Sequence, residues 1–87
     1  MDFVKYDLGQ QPAGALVNVT LGQQANVRLL SSHEFSRYQR GESFNAIGGR
    51  AIRSPVRLRV PTAGHWLVVL DLGGGAGTIT SSVTVSS

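Results

Sequence analysis

Apolar and polar residues alternate along most of this chain, in short runs separated by turn residues. From Leu16 the run LVNVTL puts Val17, Val19 and Leu21 on one face and Leu16, Asn18 and Thr20 on the other, the period of two of a half-buried strand. After Gly22-Gln23-Gln24 the run ANVRLL repeats the pattern, with Ala25, Val27 and Leu29 opposite Asn26 and Arg28, and a hairpin is expected. FVKYDL at 3–8 predicts a first strand that ends in the turn chemistry of GQQPAG. Further on, Val56, Leu58 and Val60 form an inward face opposite Arg57 and Arg59. Pro55, which has no amide proton to donate, marks that end as a sheet edge or a bulge. HWLVVLDL is apolar on both faces, as a central strand covered on both sides must be, and with the PTAG turn before it predicts a central hairpin. In the closing TITSSVTV, Ile79, Ser81, Val83 and Val85 share one face and the threonines and Ser82 the solvated other.

SSHEFSRYQRG at 31–41 breaks the alternation. Ser32 is the expected cap, Glu34 lies in the first turn, Arg37 and Arg40 lie near the end and Gly41 is the stop, which is the charge order a helix dipole favours. One short helix is expected, laid over an open end of the sheets. Residues 42–50 read as loop or as a short strand around Phe44 and Ile47. The expected fold is all-β, a mainly antiparallel sandwich or partly open barrel of six to seven strands with one short helix, in a single domain over residues 1–87.

With 87 residues there is one core, and with no cysteine it is held by packing alone or by an oligomer interface. No run approaches the roughly 18 apolar residues of a membrane span, and MDFVKYDLG lacks the make-up of a signal peptide, so the chain reads as soluble and cytoplasmic. The net charge is +3 although only 15% of residues are charged, and all the basic residues but Lys5 are arginine. Arginine's planar fork suits carboxylates and phosphates, so the excess permits an anionic partner.

Arg50, Arg53, Arg57 and Arg59 gather around one strand. Arg57 and Arg59 share its outward parity, and Arg53 joins them if Pro55 introduces no bulge. Such a row attracts a phosphate, a carboxylate or an acidic protein surface. It also arises from plain alternation, because charge on an outer strand discourages unwanted pairing. His65, in the GHW turn, is the fifth candidate ligand-binding residue. Single-strand nucleic-acid binders interleave basic residues with exposed aromatics. Only Tyr6 and Tyr38 are expected to be exposed here, which argues against nucleic acid. GGGAG at 73–77 offers backbone amides, but a strand rather than a helix follows and no Walker lysine is present, so it reads as a turn. Two histidines and scattered carboxylates give no zinc spacing, and no serine sits in a nucleophile elbow. The expectation is no metal, no cofactor and no enzymatic activity. Asp71, between Leu70 and Leu72, either faces out at its strand end or is buried and needs a partner, for which Arg57 or Arg59 is the natural one.

YDLG at 6–9, then ALVNVTL, ANVRLL, RSPVRLRVP, GHWLVVLDLGG and the closing threonine-rich strand together resemble the DUF1883 family, a domain of unknown function. The resemblance covers nearly the whole chain, and ANVRL, SPVRL and GHW followed by DLGG are its most specific pieces. It implies a compact bacterial β-sandwich that occurs alone or fused to a Toll/interleukin-1 receptor (TIR) domain, with no catalytic residues to carry over. By that association it also implies a module that controls a partner, in a defence system. Two function classes follow. One is a non-enzymatic module that recognises an anionic small molecule or a protein through the loops beside Arg50, Arg53 and the GHW turn. The other is an assembly unit whose exposed edge strand mediates homo-oligomerisation, a homodimer being the simplest case.

Overall fold

A computed structural model describes residues 3–73 and 79–86. Among them are the strands β1 (Phe3–Gln11), β2 (Leu16–Leu21), β3 (Ala25–Ser31), β4 (Ile47–Ala51), β5 (Val56–Arg59), β6 (Gly64–Asp71) and β7 (Ser81–Ser86), with one helix, α1 (Ser32–Gln39), between β3 and β4. They form two antiparallel sheets, a four-stranded one in the order β1-β6-β3-β4 and a three-stranded one in the order β5-β2-β7. The fold is therefore mainly β, as the alternation predicts. Val17, Val19 and Leu21 of the small sheet meet Ala25, Val27, Leu29, Trp66, Val68 and Leu70 of the large one in a single apolar interior. Among the described residues no helix is long and apolar enough to cross a membrane.

The connections differ from expectation more than the strands do. β2 and β3 lie in different sheets, so Gly22-Gln23-Gln24 is not a hairpin turn. The Gly22 amide donates instead to the Thr80 carbonyl at 2.8 Å, and the Leu21 amide to Ser54 Oγ at 2.8 Å, which holds the chain as it leaves the small sheet. β5 and β6 are likewise divided: β5 pairs with β2, whereas β6 lies between β1 and β3. The expected central hairpin is thus an arch between layers, although β6 is central and covered on both faces. Of the successive strands only β3 and β4 pair, across the helix. β1 also runs further than expected. It continues past a bulge between Asp7 and Gly9 to Gln11, because pairing with Gly64 and His65 of β6 extends it.

The helix is capped by Ser31 rather than Ser32: Ser31 Oγ accepts from the Glu34 amide at 3.3 Å. At the other end Gly41, at φ 73°, turns the chain, its amide donating to Tyr38 O while the Glu42 amide donates to Arg37 O. Nor does the helix lie over an open end of the sheets. It covers the outer face of the large sheet, where Leu30, Leu67 and Val69 need a lid, and Phe35 supplies it. Phe3, Tyr38 and Phe44 complete this second core with edge-to-face contacts at 5.2–5.5 Å between ring centres.

Candidate anion-binding face

With the helix on the large sheet, no described element covers the outer face of the small one. β5 is its terminal strand; Val56 and Leu58 pack towards the core and Arg57 and Arg59 are exposed on the other side. The antiparallel register sets Arg57 beside Asn18 and Asn18 beside Thr84, while Arg59, Leu16 and Ser86 form the next row and Thr20 and Ser82 pair beyond them. Apart from Leu16, the face is an array of hydroxyl and amide groups bordered by two guanidinium groups, with no carboxylate among these paired positions. Arg59 Nη1 donates to the Gly14 carbonyl at 2.9 Å, which directs that side chain along the sheet edge.

The other predicted residues are placed elsewhere. β5 begins at Val56, so Arg53 lies exposed in the loop that leads into the strand and does not extend its row. Arg50, opposite Asn26, donates to Gln24 Oε1 at 3.0 Å and lines an open cleft of about 410 Å³ with Gln24, Ala25, Asn26, Leu72 and Gly73. His65 sits opposite Gln10 at the far end of β6, its Nε2 2.6 Å from Asp7 Oδ1. The amide of Gly9 and then His65 hold the Asp7 carboxyl below the usual aspartate value. The structure therefore brings Arg57 and Arg59 together on the small sheet and separates Arg50 and His65 from them. Of the expected GGGAG turn, residues 74–77 lie outside the described residues.

Asp71 is buried, and its partner is Arg28, not Arg57 or Arg59, which lie on the other sheet. Asp71 Oδ1 accepts from Asn26 Nδ2 and from the Gly73 amide, both at 2.8 Å, and Oδ2 accepts from Tyr38 OH at 3.0 Å and from the Arg28 guanidinium. Burial alone would raise the Asp71 pKa, but these donors outweigh it, Asn26 and Gly73 foremost, and the carboxyl titrates below its usual value. Tyr38 is pushed up to about 12 by its burial and by the carboxylate it serves. The Arg28 guanidinium lies 5.9 Å from the ring centres of both Tyr38 and Phe44. With four donors on one carboxylate the cluster is satisfied, and it clasps β3, β6 and the end of α1 together.

Among the described residues the ion pairs are Arg28–Asp71 and Arg40–Glu42, and the His65 ring contacts Asp7. None includes Arg50, Arg53, Arg57 or Arg59. The aromatic residues are all drawn into the two cores: Tyr6, expected at the surface, packs inward and its hydroxyl bonds Ser81 at 2.7 Å, and Tyr38 belongs to the clasp. No aromatic platform therefore accompanies the arginines. Among the described residues no three histidine or carboxylate side chains come together as metal ligands. Compared with known families, residues 1–87 match the family model described as Domain of unknown function (DUF1883). No curated protein and no solved structure matches the chain.

Proposed function

The chain belongs to the DUF1883 family over residues 1–87, and we propose that it acts as a non-enzymatic recognition module whose small sheet binds an anionic group. The observation that carries this reading is the uncovered face bordered by Arg57 and Arg59 with no carboxylate beside them. Two residues along a strand span about 6.6–6.8 Å, a distance over which two guanidinium groups address neighbouring carboxylates or the oxygens of a diphosphate. The hydroxyls of Thr20, Ser82 and Thr84 add donors, and Arg53 and Arg50 extend the positive field without entering the row. Because the face is exposed, binding is weak to moderate and falls as salt rises. A TIR-type effector, the partner implied by the family resemblance, is one protein that such a face would engage wherever it offers paired carboxylates.

Titration of isotopically labelled protein with tetraglutamate and with pyrophosphate at low salt tests this reading. Amide shifts confined to β5, β2 and β7 are expected, and they should vanish in Arg57→Gln/Arg59→Gln while persisting in Arg50→Gln. Shifts that survive the double substitution, or none for either probe, refute the reading. Assembly through an edge strand is favoured at β7 rather than β5. β7 is uncharged and unpaired on its outer side among the described strands, whereas arginines on β5 repel a second copy. Native mass spectrometry showing a dimer that Thr84→Pro dissociates would establish that role.

A further inference from the structure

Where β3 runs into α1, the two sheets leave a cleft of about 340 Å³. Leu29, Ile47 and Trp66 come from the large sheet, Pro61 from the chain just beyond β5, and Glu34 and Asn45 stand at the rim. The volume lies at the lower end of the range for small-molecule sites and suits one ring or a short alkyl chain.

Glu34 gives the cleft its chemistry. With Ser31 it forms the spacing S-x-x-E, in which the glutamate ordinarily turns back to the amide of the capping residue. Here Ser31 remains paired with Trp66 in the β3–β6 ladder, and Glu34 Oε2 accepts instead from the Asn45 amide at 3.3 Å. Among the described residues, Glu42 and Asp71 are each paired with an arginine and Asp7 with the His65 ring, whereas Glu34 has no basic side chain beside it in an ion pair. A half-buried carboxylate without a cation, at the mouth of an apolar cleft, is complementary to a positive group carried on an apolar body.

We propose that this cleft binds an organic cation, an ammonium or guanidinium group held by Glu34 with its hydrocarbon part against Ala46, Ile47, Pro61 and the accessible edge of Trp66. The cation is either a free amine or a lysine or arginine side chain offered by another protein. The site is independent of the arginine face, which selects the opposite charge on the other sheet.

Trp66 is the only tryptophan in the chain and lines this cleft, so a change in its emission at unchanged circular dichroism reports on the cleft. Titration with phenethylammonium should change the emission saturably, whereas the size-matched anion 3-phenylpropionate should not. Glu34→Gln, which keeps an acceptor for the Asn45 amide, should weaken phenethylammonium binding about tenfold, the loss of one charge-assisted hydrogen bond. Ala46→Leu, which fills the cleft from its loop side, should abolish binding in a protein whose circular dichroism is unchanged. Saturation by N-acetyl-lysinamide as well assigns the side-chain source, and saturation by the arylalkylamine alone assigns the free amine. The proposal is overturned by the absence of a saturable change up to about 10 mM, a concentration above the roughly millimolar dissociation constant that one buried ring and one charged contact supply. It is equally overturned by undiminished binding in Glu34→Gln.

Discussion

Replacing Asp71 by asparagine preserves the side-chain volume and removes the charge at the centre of the clasp. The carboxylate accepts four donors, from Asn26, Gly73, Tyr38 and Arg28. An asparagine can keep the first two on its oxygen, and the Tyr38 hydroxyl can turn to accept from its amide group, but the other amide hydrogen then faces Arg28, which can only donate. Breaking a buried pair from one side costs about 3–5 kcal/mol. The Arg28 side chain is 25% exposed and water can replace part of what it loses, so the loss expected here is about 2–3 kcal/mol. At about 4–8 °C per kcal/mol for a domain of this size, the melting temperature should fall by about 8–24 °C. The effect has a pH signature. Because the carboxyl titrates below its unfolded value, its contribution is complete above that value, about 3.9, and is lost as pH falls through the lower folded value. Thermal melts followed by circular dichroism should therefore show the full gap between wild type and Asp71→Asn at pH 7 and a gap that closes below about pH 4. A shift under about 2 °C at pH 7, where even 0.5 kcal/mol would be visible, refutes the clasp as a stabilising unit. So does a gap that is unchanged in acid.

Trp66→Ala should cost about 3–5 kcal/mol, since the ring is 8% exposed and its N–H donates to the Thr62 carbonyl at 2.8 Å; a denaturant midpoint close to wild type would remove it from the core. Gly48→Ala should destabilise by about 1–3 kcal/mol from its φ of 106° alone. The added methyl group would also clash with the Val27 carbonyl oxygen, so a neutral result in urea melts would mean that β4 does not hold this register. Tyr6→Phe removes the hydroxyl that reaches across to Ser81 and should cost about 0.5–1.5 kcal/mol; no loss in thermal melts would show that the tie between the sheets is not needed. Arg57→Gln/Arg59→Gln should stay within about 0.5 kcal/mol of wild-type stability, and a larger loss in urea would identify the pair as structural instead.

The faces of the strands are legible in the sequence because burial imposes the period of two directly: Val17, Val19, Val27, Leu29, Val68 and Leu70 all point where the alternation places them. The connections are not legible. GQQ and PTAG mark where the chain turns, and turn chemistry is the same whether the next strand pairs with the last or crosses to the facing layer. That ambiguity also hid the clasp. Asp71 shares the face of Leu67 and Val69, and Arg28 shares the face of Leu30, so all become neighbours once β3 and β6 are known to pair. Without that pairing, of strands separated by a helix and two other strands, the nearest arginines in sequence were the natural choice. Arg57 and Arg59, by contrast, lie on one strand, and their shared side follows from parity alone.

The alternation of layers along the chain has a consequence for the order in which the molecule can be built. Most sheet partners are far apart in sequence: β1 and β3 wait for β6, β2 waits for β5 and β7, and only β3 and β4 meet early, with a helix between them. No pair of strands joined by a tight turn can form first and template the rest, so long loops must close before any ladder repays their entropy. On a ribosome the first half of the chain would emerge with its apolar faces unmatched; the large sheet could close only once β6 had been made, and the small one only once β7 had followed it. The two halves of this sandwich are thus one cooperative unit from the start, and folding is expected to be slow for a chain of this length.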